Sequence, residues 1–403
     1  MKYRSNKKGE PVSLLGFGCM RFTRKGGNID LDKAEKAIMR AFELGVNYYD
    51  TAYIYFGSES ALGEIFEKNG IREKVNIATK LPQYMVKDAA GFDKYFDEEL
   101  KRLRTGYVDY YLMHHMTDLD QWRRLESLGI KEWIAEKKAA GQIRNIGFSF
   151  HGSSDEFINI LNAYDWDFCQ IQYNYIDEFT QAGRRGVEEA YGKGIPVIIM
   201  EPLRGGRLVK YLPDKAKKII KESQKGHTPA SLAFKWLYDQ PGVTCVLSGM
   251  DSAELVEENC KTAAEADPGC LDPEDKELIG QVRGIIKEYE RVGCTGCRYC
   301  MPCPAGVDIP LAFHCYNMLY IEKKFSVRME YFQSAGGRKK PAYTDNCIGC
   351  GKCEARCPQN IPIREKLKEA GKALMPVPYK LGFAVGRKVM YGRQLKQDSR
   401  EQQ

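Results

Sequence analysis

The chain contains 403 residues, 14 cysteines and a net charge of +7. This length predicts two domains and provides enough chain for a substantial hydrophobic core. The sequence has no apolar run of ~18–20 residues, which excludes a membrane span, and its start lacks the apolar core of a secretion signal. Clustered cysteines in such a chain favour metal binding over a disulfide scaffold, so we expect a cytoplasmic protein.

The positive charge is concentrated at the C-terminal end. Residues 294–403 contain 19 Lys and Arg against 9 Asp and Glu, whereas residues 1–293 contain 42 against 45. A basic end is often a nucleic-acid-binding region. Here the charges are scattered and no nucleic-acid-binding motif accompanies them, so we expect no nucleic-acid partner.

Eight apolar or β-branched runs alternate with helix-period segments over the first 265 residues. The runs are VSLLGFG (12–18), NYYDT (47–51), NIATKL (76–81), YVDYYLM (107–113), IRNIGFSF (143–150), FCQIQYN (168–174), IPVIIMEPL (195–203) and TCVLSG (244–249). Several are apolar throughout, as expected of strands buried on both faces. The pattern predicts a parallel (β/α)8 barrel, and the preceding MKYRSNKKGEPVS predicts a hairpin that turns at Lys8 and Gly9 and closes the barrel floor.

The segments between these runs have the spacing of amphipathic helices. LDKAEKAIMRAFELG (31–45) places Ala34, Ile38 and Phe42 on one broad face and ends at Gly45. After the last strand, PEDKELIGQVRGIIKEYE (273–290) predicts a connecting helix, and residues 311–334 predict a further helical segment. The basic and apolar tail, YKLGFAVGRKVMYGRQLKQ, favours a packed or solvated segment over a membrane-surface helix.

Eight cysteines form two closely spaced sets. The second set has the spacing C-x2-C-x2-C-x3-C-P of bacterial ferredoxins, and the first set is one residue shorter at its last gap. In such runs three thiolates hold one [4Fe–4S] cluster, while the fourth, which precedes proline, binds the other cluster. We predict one cluster on Cys294, Cys297, Cys300 and Cys357, and a second on Cys347, Cys350, Cys353 and Cys303. Two zinc sites or disulfides are the alternatives, although zinc usually takes two separated pairs of ligands.

The predicted fold class is therefore α/β, with a (β/α)8 TIM barrel followed by a small, mostly helical, ferredoxin-like iron–sulfur domain. An internal repeat supports the second domain, because CRYCMPCPAGVDIP and CGKCEARCPQNIPI both place Cys-Pro shortly before Ile-Pro. The expected boundaries are 1–270 for the barrel, 271–292 for a helical linker, 293–375 for the two-cluster domain and 376–403 for a basic tail.

Four chemically active side chains follow or end neighbouring predicted strands. They are Asp50 and Tyr55 in YYDTAYIYFG, Lys80 in IATKLP, and His114 in DYYLMHHM. A barrel of this kind carries its active site at the C-terminal ends of its strands, so these side chains are expected to meet. We expect the Lys80 ammonium to lower the pKa of the Tyr55 phenol, Asp50 to hold the lysine, and a histidine to orient a carbonyl oxygen.

The motifs DTAYIY, IATK and YYLMH resemble the aldo-keto reductase family, as do QIRNIGFSF, QIQYN, MEPLRGG, TPASLAFKWL and GMDSAELVEEN. The resemblance covers about residues 1–260, and the cysteine-rich tail is similar to a branch of that family with a C-terminal ferredoxin-like domain. It implies that Tyr55 is the general acid and base, that Lys80 and Asp50 tune it, and that His114, rather than His115, positions the carbonyl of a small substrate.

The resemblance also implies a nicotinamide cofactor, NADP(H) or NAD(H), across the barrel mouth. The matching positions are Ser149 and Gln170 for the carboxamide, and Met200, Glu201, Pro202, Leu203, Ser248, Glu258 and Asn259 along the rest of the cofactor. Three features depart from the family pattern: Phe150 replaces an asparagine, Met200 replaces a stacking aromatic residue, and the last loop lacks the residues that often hold the 2′-phosphate of NADP(H).

Hydride transfer moves two electrons together, whereas a [4Fe–4S] cluster moves one at a time. The first hypothesis is a nicotinamide-dependent carbonyl reductase whose clusters exchange electrons with a carrier or are structural. The second is a reductase in which the clusters supply a flavin or the substrate directly. The third is a non-enzymatic iron–sulfur electron carrier. The basic C-terminal region favours an acidic ferredoxin or flavodoxin as partner.

Overall fold

The computed structural model describes residues 1–223, 225–294, 296, 298–338, 340–357 and 359–391. Twelve strands form within these residues, and eight of them make the barrel. They are β1 (Tyr3–Ser5), β2 (Pro11–Ser13), β3 (Leu15–Gly18), β4 (Arg24–Lys25), β5 (Asn28–Ile29), β6 (Tyr48–Asp50), β7 (Asn76–Leu81), β8 (Val108–Met116), β9 (Ile143–Phe150), β10 (Phe168–Gln172), β11 (Val197–Met200) and β12 (Val243–Ser248).

The barrel is closed and parallel, in the order β3, β6, β7, β8, β9, β10, β11, β12 and back to β3. This confirms the predicted architecture. Its interior is filled by side chains from several strands, with Tyr110 packed edge-on against Tyr48 at 4.9 Å and against Phe168 at 5.0 Å. The strands are buried on both faces because helices cover the outside, which explains their continuous apolar runs.

The predicted hairpin forms before the barrel. β1 pairs antiparallel with β2, and the turn is closed by hydrogen bonds from the Gly9 N–H to the Asn6 carbonyl (3.0 Å) and from the Asn6 N–H to the Glu10 carbonyl (2.9 Å). Gly9 adopts φ 83°, a left-handed conformation that favours glycine. Val12 of β2 packs into the barrel interior, so the hairpin closes one end of the barrel and leaves the C-terminal strand ends at the other.

Sixteen α-helices lie in the described residues. Those of the barrel region are α1 (Leu31–Glu43), α2 (Ser58–Asn69), α3 (Ala90–Leu103), α4 (Leu119–Ser127), α5 (Ile130–Ala139), α6 (Ser154–Leu161), α7 (Gly183–Gly192), α8 (Arg207–Lys210), α9 (Asp214–Glu222), α10 (Pro229–Tyr238) and α11 (Ala253–Ala264). The first begins where the Asp30 carboxylate accepts the Lys33 N–H, and it buries Ala34, Ala37 and Ile38.

Five helices follow the barrel: α12 (Pro273–Lys287), α13 (Ile309–Met318), α14 (Lys324–Tyr331), α15 (Ile363–Leu374) and α16 (Val377–Tyr391). The segment predicted as helical over 311–334 is two helices, and a π-helical turn (Phe332–Gly336) follows the second. The tail helix α16 packs on this turn, because Phe383 stacks on Phe332 at 4.5 Å. Across the described ranges, no helix is long and apolar enough to cross a membrane.

Candidate active site

Three neighbouring barrel strands bring the predicted tetrad together. Asp50 ends β6, Lys80 lies next to the end of β7, and His114 lies in β8, while Tyr55 follows in the loop between β6 and α2. The strands are adjacent and parallel, so their C-terminal ends share one edge of the barrel. Asp50, Lys80 and His114 are all buried.

A buried ion pair lies at the base of this site. The Lys80 Nζ donates to Asp50 Oδ2 at 2.6 Å and to the Thr51 carbonyl oxygen at 2.6 Å. The same ammonium lies 5.4 Å from the centroid of the Tyr55 ring, and the His114 and Tyr55 rings are 6.0 Å apart at 84°. Burial raises the pKa of the Asp50 carboxyl, and the charge of Lys80 and its hydrogen bond oppose that rise.

The pKa of the Tyr55 phenol is shifted in the direction opposite to the one that the sequence predicts. Burial first, then the charges of Asp50 and Glu201, raise the pKa of Tyr55 above its ordinary value. The net shift of this pKa is therefore upward, opposite to the direction expected from the Lys80 charge. The physical reason is that the lysine charge is paired with Asp50, while the phenol is removed from water. Tyr55 is consequently a protonated phenol at neutral pH.

His114 is a buried, neutral imidazole. Burial and the nearby Lys80 ammonium lower its pKa well below the ordinary value. Its Nδ1 atom has no hydrogen-bond partner among the described residues. A buried polar atom without a hydrogen-bond partner costs free energy unless a bound group supplies that partner. The imidazole is therefore suited to bind a polar atom of a substrate.

Two residues predicted to hold a nicotinamide carboxamide lie at the next strand ends. Ser149 and Gln170 are buried near the ends of β9 and β10, and the Gln170 Oε1 has no hydrogen-bond partner among the described residues. Its Nε2 faces the Met200 Sδ at 3.7 Å. The Ser149 Oγ accepts the His115 N–H at 2.8 Å. An unpartnered acceptor in this position fits a carboxamide N–H donor.

The other predicted cofactor positions lie along the same edge of the barrel. Glu201 follows β11 with φ 52°, and Pro202 and Leu203 continue that loop. Ser248 ends β12 and accepts a hydrogen bond from the Asn259 amide at 3.1 Å, whereas Glu258 is exposed on α11. These residues line one side of the mouth, and their cofactor roles remain predictions.

Two residues outside the predicted sites, Arg21 and Tyr84, also lie near this edge. Arg21 donates to the Gly205 carbonyl at 2.9 Å, and a Cβ on Gly205, whose φ is 67°, would meet the Arg21 Nη2 at 2.4 Å. Tyr84 contributes to the electrostatic environment of Tyr55, and burial raises the Tyr84 pKa to about 12. Arg21 lies three residues after β3 and Tyr84 three residues after β7, so position after a strand is the sequence signal for both.

Two more histidines extend the site away from His114. The His115 and His151 rings are 4.7 Å apart, and burial lowers their pKa values to about 4 and about 3 respectively. The nearby Gln181 side chain raises the His151 pKa against this trend. Both imidazoles are therefore neutral at physiological pH, and they add hydrogen-bonding groups without charge.

The C-terminal region contacts the barrel mouth directly above these histidines. The Thr117 hydroxyl donates to the Gly337 carbonyl at 3.2 Å, and a Cβ on Gly337 would lie 3.1 Å from the His115 ring and 2.3 Å from the Gln333 carbonyl oxygen. Only a residue without a side chain allows this approach. The π-helical turn and the residue after it therefore form part of the wall of the candidate active site.

Arg204, in the quoted MEPLRGG motif, joins the two regions. Its fully buried guanidinium contacts Asp177 of the barrel at 2.5 Å, and Glu322 and Glu330 of the C-terminal region at 2.6 and 2.7 Å. Arg207 adds contacts to the same two glutamates at 2.6 and 3.1 Å. His314 of α13 lies 2.9 Å from Asp177. This interdomain ion cluster fixes the C-terminal region on the mouth.

The cysteines of the two sets lie in different surroundings. Cys294, Cys300 and Cys357 line one small cavity, which does not include Cys303. This places the last cysteine of the second set beside the first set, as the cross-pairing requires. Cys297 lies outside the described residues, and within them no three His, Cys, Asp or Glu side chains form a group that would hold a metal ion. The ligand sets therefore remain predictions.

We expect Cys303→Ser to expose Cys347, Cys350 and Cys353 to alkylation while Cys294 and Cys300 stay protected, because the substituted residue serves the distant cluster. Cys357→Ser is the matched variant and should have the reverse effect. Mass spectrometry of alkylated peptides from anaerobically prepared protein measures both patterns. Loss of protection at the neighbours of the substituted residue would show that each set holds its own cluster.

Comparison with known proteins identifies two parts of the chain. Residues 14–267 match the model of the aldo/keto reductase family, and residues 293–361 match that of a 4Fe-4S dicluster domain. An L-galactose dehydrogenase of Arabidopsis thaliana is 27% identical over 70% of this chain and 93% of its own length. An L-glyceraldehyde 3-phosphate reductase of Escherichia coli is 24% identical over 64% and 86% respectively.

A solved structure is also similar. An aldo-keto reductase from Bacillus halodurans, in its holo form, superposes with a TM-score of 0.58 and 26% identity, covering 70% of this chain and 96% of its own.

Proposed function

Because the chain belongs to the aldo/keto reductase family and carries a 4Fe-4S dicluster domain, we propose that it is a nicotinamide-dependent reductase of small carbonyl compounds that exchanges single electrons through two [4Fe–4S] clusters. The observation that carries this proposal is the buried Lys80–Asp50 pair beneath Tyr55, with His114 beside the phenol. The arrangement combines a proton donor with a group that can orient a carbonyl oxygen.

The chain's own residues support proton transfer to a carbonyl oxygen. The raised pKa keeps Tyr55 protonated at neutral pH, so its hydroxyl can donate the proton that converts C=O to C–OH. The neutral His114 offers an uncharged hydrogen bond to the same oxygen. Lys80 then stabilises the phenolate that remains, although its pairing with Asp50 reduces this effect. A nicotinamide, when bound, supplies the hydride for the carbonyl carbon.

The residues present fit a nicotinamide in part. The unpartnered Gln170 Oε1 and the Ser149 hydroxyl suit its carboxamide. The loop after β12 offers Gly249 and Met250, which supply no cation for a 2′-phosphate. We therefore propose NAD(H) or NADP(H) without preference, and we propose Arg21 as the nearby cation for the cofactor's phosphates.

The eight predicted cysteines would hold the two clusters, which supply one-electron transfer when present. The cavity that Cys294, Cys300 and Cys357 share is lined by apolar side chains from Ile309, Phe313 and Ile361. Such an environment suits a shielded iron–sulfur centre. The partner proposed for this region is a ferredoxin or flavodoxin.

A second candidate is a reductase in which the clusters supply electrons to a flavin or to the substrate, without nicotinamide. The contact of Gly337 with the ring of His115 favours it, because the iron–sulfur region then forms part of the wall of the active site. In this mode Tyr55 would supply a proton to the reduced product, and the neutral histidines would offer hydrogen bonds to it.

Anaerobic purification followed by cofactor analysis tests the proposal. We expect about eight iron and eight acid-labile sulfide atoms per chain, no released flavin, and oxidation of NADH or NADPH on addition of simple aldehydes. A released yellow flavin together with no nicotinamide oxidation would overturn the first candidate and support the second. Zinc in place of iron would contradict both.

A further inference from the structure

We propose that electrons enter through the second cysteine set, at a basic and apolar groove that docks an acidic one-electron carrier protein. This inference rests on the proposed function, and it assigns the partner's binding surface. The second set means Cys347, Cys350 and Cys353. The docking groove means the surface between the loop that carries Cys347 and the helices α15 and α16.

The two cysteine sets differ in their access to solvent. The cavity lined by Cys294, Cys300 and Cys357 is small and walled by apolar residues of α13. Cys350, in contrast, is exposed, and Cys347 lines the docking groove, whose volume is about 1280 Å³. A protein partner can therefore reach the second set at Cys350, whereas the described cysteines of the first set are only partly exposed.

The first set faces the barrel. Arg298 and Pro310 line its cavity and also a neighbouring narrow cavity, whose opposite wall is formed by Gly152 and Gln181 of barrel loops. Arg298 also contacts Asp155 of α6 at 3.6 Å. Gln181 lies near His151, whose ring is 4.7 Å from that of His115, which places this side close to the candidate active site. The first set thus lies toward the barrel, and the second set lies toward solvent.

The docking groove is lined by more basic than acidic groups. Its cations are Arg364, Lys368, Lys372 and Lys380, and its carboxylates are Asp345, Glu354 and Glu365. Two of the carboxylates are already paired, Asp345 with Lys380 at 2.6 Å and Glu354 with Arg364 at 2.7 Å. Lys368 and Lys372 are exposed one helical turn apart on α15. They present the positive charge that an acidic partner would meet.

Large apolar side chains lie beside these lysines. Ile348, next to Cys347, is 72% exposed, and Val377 and Leu381, one turn apart on α16, are 70% and 67% exposed. Ile348 and Val377 both line the groove. An apolar centre with a polar, charged rim is typical of protein–protein interfaces.

An acidic redox protein is the occupant that fits all of these features. Charge complementarity would guide its approach. The exposed apolar side chains of the groove would then pack against it beside the loop of Cys347 and Cys350. Each encounter transfers one electron, so the carrier is oxidised by one electron and this protein is reduced by one. Two encounters supply two electrons, which together with two protons reduce one carbonyl to an alcohol in the second mode proposed above, where the clusters supply the substrate or a flavin.

The test uses the complete, anaerobically prepared protein with reduced acidic ferredoxin and, in parallel, reduced flavodoxin. We compare the wild type with Lys368→Glu/Lys372→Glu. The control, Lys101→Glu/Lys193→Glu, makes the same change in net charge on exposed barrel surfaces. Calorimetry gives the dissociation constant, stopped-flow absorbance gives the rate of reduction, and dithionite gives the total reducible absorbance.

We expect the docking variant to bind at least one carrier about tenfold more weakly and to be reduced correspondingly slower, with unchanged dithionite-reducible absorbance. The control should bind like the wild type. Equal weakening in both variants, or none in either, would overturn the docking site. So would binding of the wild type to phosphatidylglycerol vesicles with no affinity for either carrier.

Failure of the docking site and failure of the proposed nicotinamide reductase give different results. Wild-type protein that binds the carrier but never oxidises NADH or NADPH with an aldehyde would keep the docking site and reject the nicotinamide reductase. Protein that reduces aldehydes with NADH or NADPH but binds neither carrier would support the nicotinamide reductase and reject the docking site.

Discussion

Tyr55→Phe is expected to lower kcat/KM for NADH- or NADPH-dependent carbonyl reduction by about 10²–10⁴-fold, the usual contribution of a positioned general acid. The substitution removes only the hydroxyl, so the ring beside Lys80 and His114 remains. Steady-state kinetics with a simple aldehyde measures the loss. Tyr53→Phe is the matched control in the same motif, because the Tyr53 hydroxyl donates to Glu98 and not into the site.

The direction of the Tyr55 pKa shift also predicts a pH dependence. Reduction needs the protonated phenol, and a pKa raised above its ordinary value leaves that form fully populated through neutral pH. The reductive rate should therefore show no loss from this group until alkaline pH. Oxidation of the alcohol needs the phenolate and should increase with pH. Full activity of Tyr55→Phe, or a rate of reduction that increases with pH, would contradict the assigned role.

Arg204→Leu is expected to destabilise the protein by about 3–5 kcal/mol, since removal of one partner from a buried ion cluster leaves its other charges uncompensated. Asp177, Glu322 and Glu330 all lose their principal cation, and Arg207 contacts only the two glutamates at close range. Differential scanning calorimetry should show a lower apparent Tm. Hydrogen exchange should increase in the segment 322–337, which this cluster holds on the barrel.

Arg364→Leu provides the comparison for that result. Its guanidinium pairs with Glu354 at 2.7 Å, but half of the Arg364 side chain is exposed to solvent. A surface pair of this kind contributes about 0–1 kcal/mol. If both variants lost the same stability, or if Arg204→Leu left hydrogen exchange in 322–337 unchanged, the interdomain cluster would not be what fixes the C-terminal region.

Local pattern was sufficient to predict the barrel and the placement of Asp50, Lys80 and His114 at neighbouring strand ends. NIATKL coincides with β7 and IRNIGFSF with β9, because both runs are apolar segments flanked by breaks in the pattern. Lys80 and Asp50 were predicted as partners from their position at neighbouring strand ends, and parallel strands bring those ends to one edge. The helix over 311–334 was less accurate, since a break between two apolar helices leaves little local signal.

The sequence by itself determined the succession of strands along the chain, the residue types at the strand ends and the cysteine spacing, because each depends on residues that are close along the chain. Only the tertiary structure decided the partners of Arg204, which lie 118 and 126 residues away, and the direction of the Tyr55 pKa shift. It also decided which cysteine set faces the barrel. Burial and long-range charge pairing set these properties, and both arise only when distant segments pack together.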